Sequence, residues 1–279
     1  MPLLSLHYCQ PQWSTLLKEV IMKKLAIVIA AISSSAAYAG DTYTRNGNIY
    51  SHEGQAVASI GVGTTSDLYK NQDKNTYPQF NLGYNGENFN ADLANGMNYR
   101  FLGNNDDTVN LNAYIGHLTP GYKSKDADIL KGMKDRDPAI DGGINMDINT
   151  GHGGVLSTFV GHDITGEYDG LNAGMKYMHL THFGNVDLVP YAGVDWLSKD
   201  HVDHYFGVKD SETTAQRAAY KGDDAFAYNV GYKLVVPMGQ NWDISQTTQY
   251  TRLGSDIADS PIVDSADQWA AQAMVSYHF

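Results

Sequence analysis

Between residues 225 and 236 the sequence AFAYNVGYKLVV changes character at every step. Phe226, Tyr228, Val230, Tyr232, Leu234 and Val236 fall on one face, and Ala225, Ala227, Asn229, Gly231 and Lys233 on the other. A period of two belongs to a strand with one apolar and one small or polar face. The last segment repeats it: Trp269, Ala271, Ala273, Val275, Tyr277 and Phe279 alternate with Gln268, Ala270, Gln272, Met274, Ser276 and His278. Such runs of ~10–12 residues exceed the ~5–6 of ordinary globular strands and match the roughly 9–11 needed to cross a bilayer.

Weaker alternation marks further strands at 55–63, 77–84, 88–93, 96–101, 108–117, 139–148, 155–162, 171–180, 186–197 and 242–253. Asn85-Gly86 is a two-residue hairpin signal. Asn149–Gly154, Gly184-Asn185 and Gly239-Gln240-Asn241 read as turns. Other connections are long and acidic: 122–138, 199–224 and 254–267. Short turns alternating with long polar loops suit a single antiparallel transmembrane β-barrel of about ten to twelve strands. Inward groups such as Asn229, Lys233, Gln268 and Gln272 would plug the lumen or line a narrow path, since wide pores belong to barrels of about 16–18 strands. A secreted β-sandwich also alternates, but it does not call for strands this long or for tyrosines near their ends.

Composition changes this picture little. The chain has 279 residues, 28 Gly and 19 Tyr, with 18% charged residues and a formal charge of −12. A mean hydropathy of −0.37 resembles that of a soluble protein, because apolar residues sit at every second position and not in long runs. The acidic balance argues against nucleic acid as a partner.

Met22-Lys23-Lys24, the apolar run LAIVIAAI at 25–32 and Ala37-Tyr38-Ala39 form the three regions of a secretory signal peptide, cleaved after Ala39. Residues 1–21 then read as an upstream extension before a start at Met22, leaving 40–279 as one domain. Without residues 1–39, Lys and Arg fall from 19 to 16 and Asp and Glu from 31 to 30, giving −14. Cys9, the single cysteine, goes too, which removes disulfides, zinc-thiolate sites and cysteine nucleophiles.

Candidate chemistry is sparse. His179/His182 and His201/His204 have the spacing of metal ligands on a helix, but in strands or loops three apart places side chains on opposite faces. His162-Asp163, Asp200-His201 and Asp203-His204 offer acid–base pairs, but no Gly-x-Ser-x-Gly nucleophile accompanies them. No catalytic residue, cofactor or metal is expected. Asp126, Asp128, Asp135, Asp137, Asp223, Asp224, Asp256 and Asp259 cluster in the long loops; they read as solvated surface, with bridging of lipopolysaccharide through divalent cations as the alternative.

The C-terminal Val275, Tyr277 and Phe279, alternating and ending on Phe, resemble the insertion signal by which the barrel assembly machinery takes up outer-membrane proteins. Gly161-His162-Asp163-Ile164-Thr165-Gly166, with Gly170 four residues on, is followed by Pro190-Tyr191-Ala192-Gly193 and then Tyr205-Phe206-Gly207-Val208. This series is similar to that of the MipA/OmpV (MltA-interacting protein) family of outer-membrane barrels, over about 57–279. The segment at 64–73 keeps Tyr69 but lacks the Pro and Gly-Ser usual there. The resemblance implies a non-enzymatic protein of the cell outer membrane, in contact with lipid and lipopolysaccharide. It further implies a scaffold joining a lytic transglycosylase to a bifunctional penicillin-binding protein; the alternatives are a small-solute channel and an osmoregulated surface or adhesion protein. In the residues themselves, Gly166 and Gly170 suit turns or bulges, Asp163 and Thr165 suit turn hydrogen bonds, and Tyr205-Phe206-Gly207 would anchor an aromatic loop in the barrel mouth.

Overall fold

The computed structural model describes residues 42–72 and 75–279, with only the backbone of His117 and Leu118. The expectations at Met22, Ala37, Ala39 and Cys9 lie outside the described residues. Twelve long-range strands form the wall: β3 (Gln55–Thr65), β4 (Thr76–Asn85), β5 (Phe89–Asp92), β6 (Gly96–Leu102), β7 (Val109–Thr119), β8 (Ala139–Gly151), β9 (Gly154–Asp163), β10 (Leu171–His179), β12 (Val186–Leu197), β13 (Ala225–Pro237), β14 (Trp242–Leu253) and β15 (Asp267–His278). Two strands of a separate hairpin precede them, β1 (Tyr43–Arg45) and β2 (Asn48–Tyr50), and a short β11 (Thr181–Phe183) extends the edge beside β12. Each wall strand pairs antiparallel with the next; β10 pairs β12, and β15 pairs β3, so the sheet closes on itself.

The two faces follow the alternation. In the β12–β13–β14 register, Gly193, Asn229 and Thr251 share one face, while Val194, Tyr228 and Arg252 share the other. Most outward residues are apolar and exposed: Ile60 is 69%, Phe80 72% and Val230 53% accessible, while Arg252 near the loop end pairs with Asp267 at 2.7 Å. An apolar band of this extent is stable against acyl chains and not against water. At its lower rim the rings of Trp242, Tyr277 and Phe279 form a girdle, each neighbouring pair of centroids 4.8 Å apart, as interfacial aromatics do. All long loops emerge at the opposite end. Long loops face outward and short turns face the periplasm in such barrels, and both described termini lie at the short-turn end.

Three sequence expectations need correction. Asn85-Gly86 is not a two-residue hairpin turn. β4 ends at Asn85 and β5 begins at Phe89, with the Gly86 N–H donating to the Phe89 carbonyl at 2.8 Å. Neither Asn85 nor Gly86 takes a positive φ; a Cβ at Gly86 would strike the Phe89 carbonyl and the Tyr84 ring, so glycine is there for space. Second, His201 and His204 do not lie in a strand or loop. They sit on helix α1 (Lys199–Phe206). Third, the long loops are not merely solvated: with α1 and α2 (Ser255–Ala258) they enclose an apolar core of their own.

Candidate functional site

The lumen is closed from below by the β1–β2 hairpin. Asn46 and Gly47 take φ of +50° and +68°, the left-handed pair that a tight two-residue turn requires and that Asn-Gly adopts readily. Among the described residues the hairpin pairs with no wall strand. Inward side chains hold it instead. Asp147 accepts the Asn46 N–H at 2.8 Å. The ammonium groups of Lys176 and Lys233 donate to the carbonyls of Gly47 (3.1 Å) and Ile49 (3.0 Å). Asn98 donates to the Tyr50 hydroxyl at 3.1 Å. The Arg45 guanidinium donates to the Gly86 carbonyl at 2.7 Å and pairs with Glu53 at 2.9 Å. Lys233 was readable as an inward residue; Asp147, Lys176 and the hairpin were not anticipated, although Asn46-Gly47 carries the signal.

The chain just after the hairpin is latched to the last strands. Asp243 Oδ2 accepts from Ser51 Oγ at 3.1 Å and lies 2.6 Å from His278 Nε2. The His52 ring stacks on that of His278 at 3.9 Å. His52, Asp243 and His278 are, among the described residues, the one grouping of three potential metal ligands, and all three are buried.

The upper closure is a cap made by loops. Val202, Tyr205 and Phe206, spaced as one face of α1, bury against Leu130, Met133, Tyr168, Ile257, Ile262 and Val263. Tyr205 donates to the Asp137 carbonyl at 3.0 Å, and Ser260 Oγ donates to the Phe206 carbonyl at 2.6 Å. Gly207 caps α1, its N–H donating to the Asp203 carbonyl, and Val208 bridges to Tyr220. Tyr69 meets Tyr122 edge-on at 5.1 Å. Beside these, Arg136 and Glu212 form a buried ion pair at 3.1 Å. Burial raises the Glu212 pKa, but the amides of Lys134 and Lys209 and the Arg136 guanidinium outweigh it and hold the carboxyl below the usual range. Burial, then the neighbouring His204, pushes His201 down to about 4. His201 is therefore neutral at pH 7; its ring lies 4.5 Å from Tyr168 and 5.2 Å from Tyr205.

The motif residues at 161–170 sit where β9 enters the cap. Asp163 accepts five hydrogen bonds: from Thr165 N (2.8 Å), Thr165 Oγ1 (2.5 Å), Gly166 N (3.1 Å), Tyr168 N (2.8 Å) and Asp169 N (3.1 Å). Gly166 takes φ +77°. A Cβ at Gly170 would meet Ser198 Oγ, and one at Gly161 the Tyr114 hydroxyl. His162 points outward and its Nδ1 lies 2.6 Å from the Asp163 carbonyl. The eight loop aspartates gather no cluster of ligands among the described residues; Asp126 accepts from Lys123 N and Asp135 from Ser124 N, each at 2.7 Å. Val275, Tyr277 and Phe279 lie on the outward face of the closing strand, the Phe279 N–H donating to the Ala56 carbonyl at 2.9 Å. Arg136, Glu212 and Arg217, which stitch the cap, had no sequence signal.

Between plug and cap a cavity of about 530 Å³ remains, lined by Ser59, Lys176, Tyr191, Lys233, Gln249 and Gln272 among others.

The family model described as MltA-interacting protein MipA matches residues 58–279. The chain is 51% identical to outer membrane protein OmpV of Vibrio cholerae over 92% of this chain and the whole of that one. It is 26% identical to the MltA-interacting protein of Escherichia coli over 92% of this chain and 99% of that one. Among solved structures the NanC porin overlays with a TM-score of 0.45 at 9% identity, over 79% of this chain and 98% of that one.

Proposed function

The chain belongs to the MltA-interacting protein family of outer-membrane barrels, and we propose that it is a non-enzymatic interaction protein whose periplasmic face docks murein enzymes. The observation that carries this reading is the double closure. A hairpin held by Asp147, Lys176 and Lys233 fills the lower lumen, and a packed loop core covers the upper mouth. Elements that fill both ends of the lumen favour a surface role over conduction, although a pocket of about 930 Å³ bordered by Tyr69, Tyr122, Gln249 and Gln268 stays open at the upper mouth. On the periplasmic side a polar groove of about 420 Å³ runs between the hairpin and the turns, bordered by Arg45, Arg100, Asn105 and Asp106. It offers both charges and backbone edges to a protein partner. By analogy with the relative named for MltA, the partner is a lytic transglycosylase, with a bifunctional penicillin-binding protein completing the scaffold.

Pull-down from solubilised envelopes tests this. Capture of a murein hydrolase, weakened at least tenfold by Asp106→Lys in the groove, supports the scaffold. Stable single-channel steps in planar bilayers with no captured hydrolase favour the small-solute channel.

A further inference from the structure

The wall of the barrel is incomplete at one place. β5 has four residues, and its ladder with β4 covers only Gly83–Asn85 against Asn90–Asp92. One more bond, from the Leu93 N–H to the Leu82 carbonyl at 3.2 Å, ends the contact. On the far side, β6 reaches only Ile115 of β7. Among the described residues, no ladder joins β4 above Leu82 to β7 above Gly116. At ~3.3 Å per residue, the open edge of β4 from Thr76 to Asn81 is about 20 Å tall. The gap has a sill and a lintel. The sill is the β5–β6 turn, closed by Asp92, which accepts from Ala94 N (2.8 Å) and Asn95 N (2.7 Å). The lintel is the contact between the first and third outer loops, where Asp128 N donates to the Asn71 carbonyl at 3.2 Å and Gln72 bridges Ala127.

The sequence is adapted to this opening. Even-numbered residues of β4 turn their peptide groups toward β5, as the Leu82 bond shows, so Pro78 sets its missing N–H on the open edge. A proline removes one unpaired donor where no partner strand exists. Remaining edge groups are tolerated at membrane depth only where they border a wet cavity. One does lie there. The 530 Å³ cavity touches five consecutive residues of β4, Tyr77–Asn81, together with Ala94 and Asn95 of the sill. A cavity confined to one face of a strand touches alternate residues; this one meets β4 along its open edge.

The cavity joins two chemistries. At the window are the exposed apolar side chains of Phe80, Leu82 and Leu93. Inside are Lys176 and Lys233, neither of which forms an ion pair with a carboxylate among the described residues. Each donates to one plug carbonyl. The carboxylates that influence them are engaged elsewhere: Asp195 by Asn229, Asp243 by His278, and Asp92 by its turn. We propose that the lumen between plug and cap binds an amphipathic anion, a carboxylate with an alkyl tail, that enters sideways from the outer leaflet between β4 and β7 and sets its charged end on Lys176 and Lys233. This site lies on the other side of the hairpin from the periplasmic groove and shares Lys176 and Lys233 with the hairpin's anchors.

Isothermal titration of the full barrel in a non-ionic detergent with octanoate tests the proposal, with octanol and acetate as controls. One saturable octanoate per chain is expected, with octanol and acetate each at least tenfold weaker. Lys176→Met with Lys233→Met should weaken octanoate at least tenfold, and Lys→Arg at both positions should restore it. Ala94→Trp, on the sill and away from the plug contacts, should slow association at least fivefold by stopped flow. Equal binding of octanol overturns the anion site, and equal binding of acetate overturns the tail. An unchanged association rate in Ala94→Trp overturns the sideways route, and absence of saturable octanoate binding overturns the whole.

Discussion

Lys233 and Ile49 lie 184 positions apart in sequence, and the ammonium of one donates to the carbonyl of the other at 3.0 Å. The contact ties a hairpin formed by the first described residues to a strand near the end of the chain. It belongs to a set with Lys176–Gly47 and Asp147–Asn46, and together these bonds stopper the barrel.

The set makes Asp147→Ala a test of closure. The variant removes the acceptor of the Asn46 N–H, of Ser157 Oγ at 2.6 Å and of Asn112 Nδ2 at 3.1 Å. Leaving buried donors unsatisfied costs about 1–3 kcal/mol. Frequent single-channel steps are expected in planar bilayers where the unsubstituted protein is silent. Continued silence would show that the hairpin does not depend on this anchor.

Asp163→Ala should unfasten the loop at 164–170. Its carboxylate serves four backbone amides and one hydroxyl, so no single neighbour can replace it. A loss of about 1–3 kcal/mol should appear as a new protease-sensitive site near Glu167, with the barrel itself intact. Asp163→Asn, keeping one acceptor oxygen, should be milder. Equal damage by both variants would mean that charge, not acceptor count, holds the loop.

Phe206→Ala empties a buried position in the cap. Phe→Ala in a packed core costs about 3–5 kcal/mol. Limited proteolysis should then cut within 199–224 at least tenfold faster, while the wall strands stay uncut. An unchanged cleavage rate would show that the cap is held by the Arg136–Glu212 pair and its neighbours and not by this ring.

The cap should also respond to acid. His201 has a folded pKa lowered to about 4 by burial and then by His204, against roughly 6.5 in the open chain. Between these values the opened loops bind more protons than the closed cap, so stability rises with pH across the window. The contribution is complete above about pH 6.5 and is lost as pH falls toward 4; about 3 kcal/mol is at stake at 1.36 kcal/mol per unit. Loop proteolysis should therefore accelerate from pH 6.5 to 4, and His201→Phe should flatten that rise. Glu212, with a folded pKa held below its usual range, adds a loss only below about pH 4.5, as it becomes protonated. A pH profile unaltered by His201→Phe would remove the histidine from the account.

The wall was legible because bilayer contact enforces strict alternation. The outward faces of β13 and β15 obey it at every step, and their inward residues Asn229, Lys233, Gln268 and Gln272 line the lumen side in the observed register. What lay inside the barrel was less legible. The plug is only three residues per strand, too short for a period, and its turn residues Asn46-Gly47 resemble many others in a chain rich in asparagine and glycine. Helix α1 hides its Val202, Tyr205 and Phe206 stripe among five charged or histidine residues. The window left no local mark except Pro78, because it arises from a strand that stops early, and pairing length is a property of neighbours.

The latch of Ser51, His52, Asp243 and His278 brings the turn that follows the hairpin onto the strands that close the barrel. The latch therefore sits at the seam where β15 meets β3 and the sheet closes. A fusion at Phe279 would hang at this seam, crowding the latch and the Val275, Tyr277, Phe279 signal together. A reporter epitope belongs instead in the exposed stretch around Thr213–Gln216, at the opposite end of the molecule, where its detection on intact cells would reveal the barrel without touching its lock.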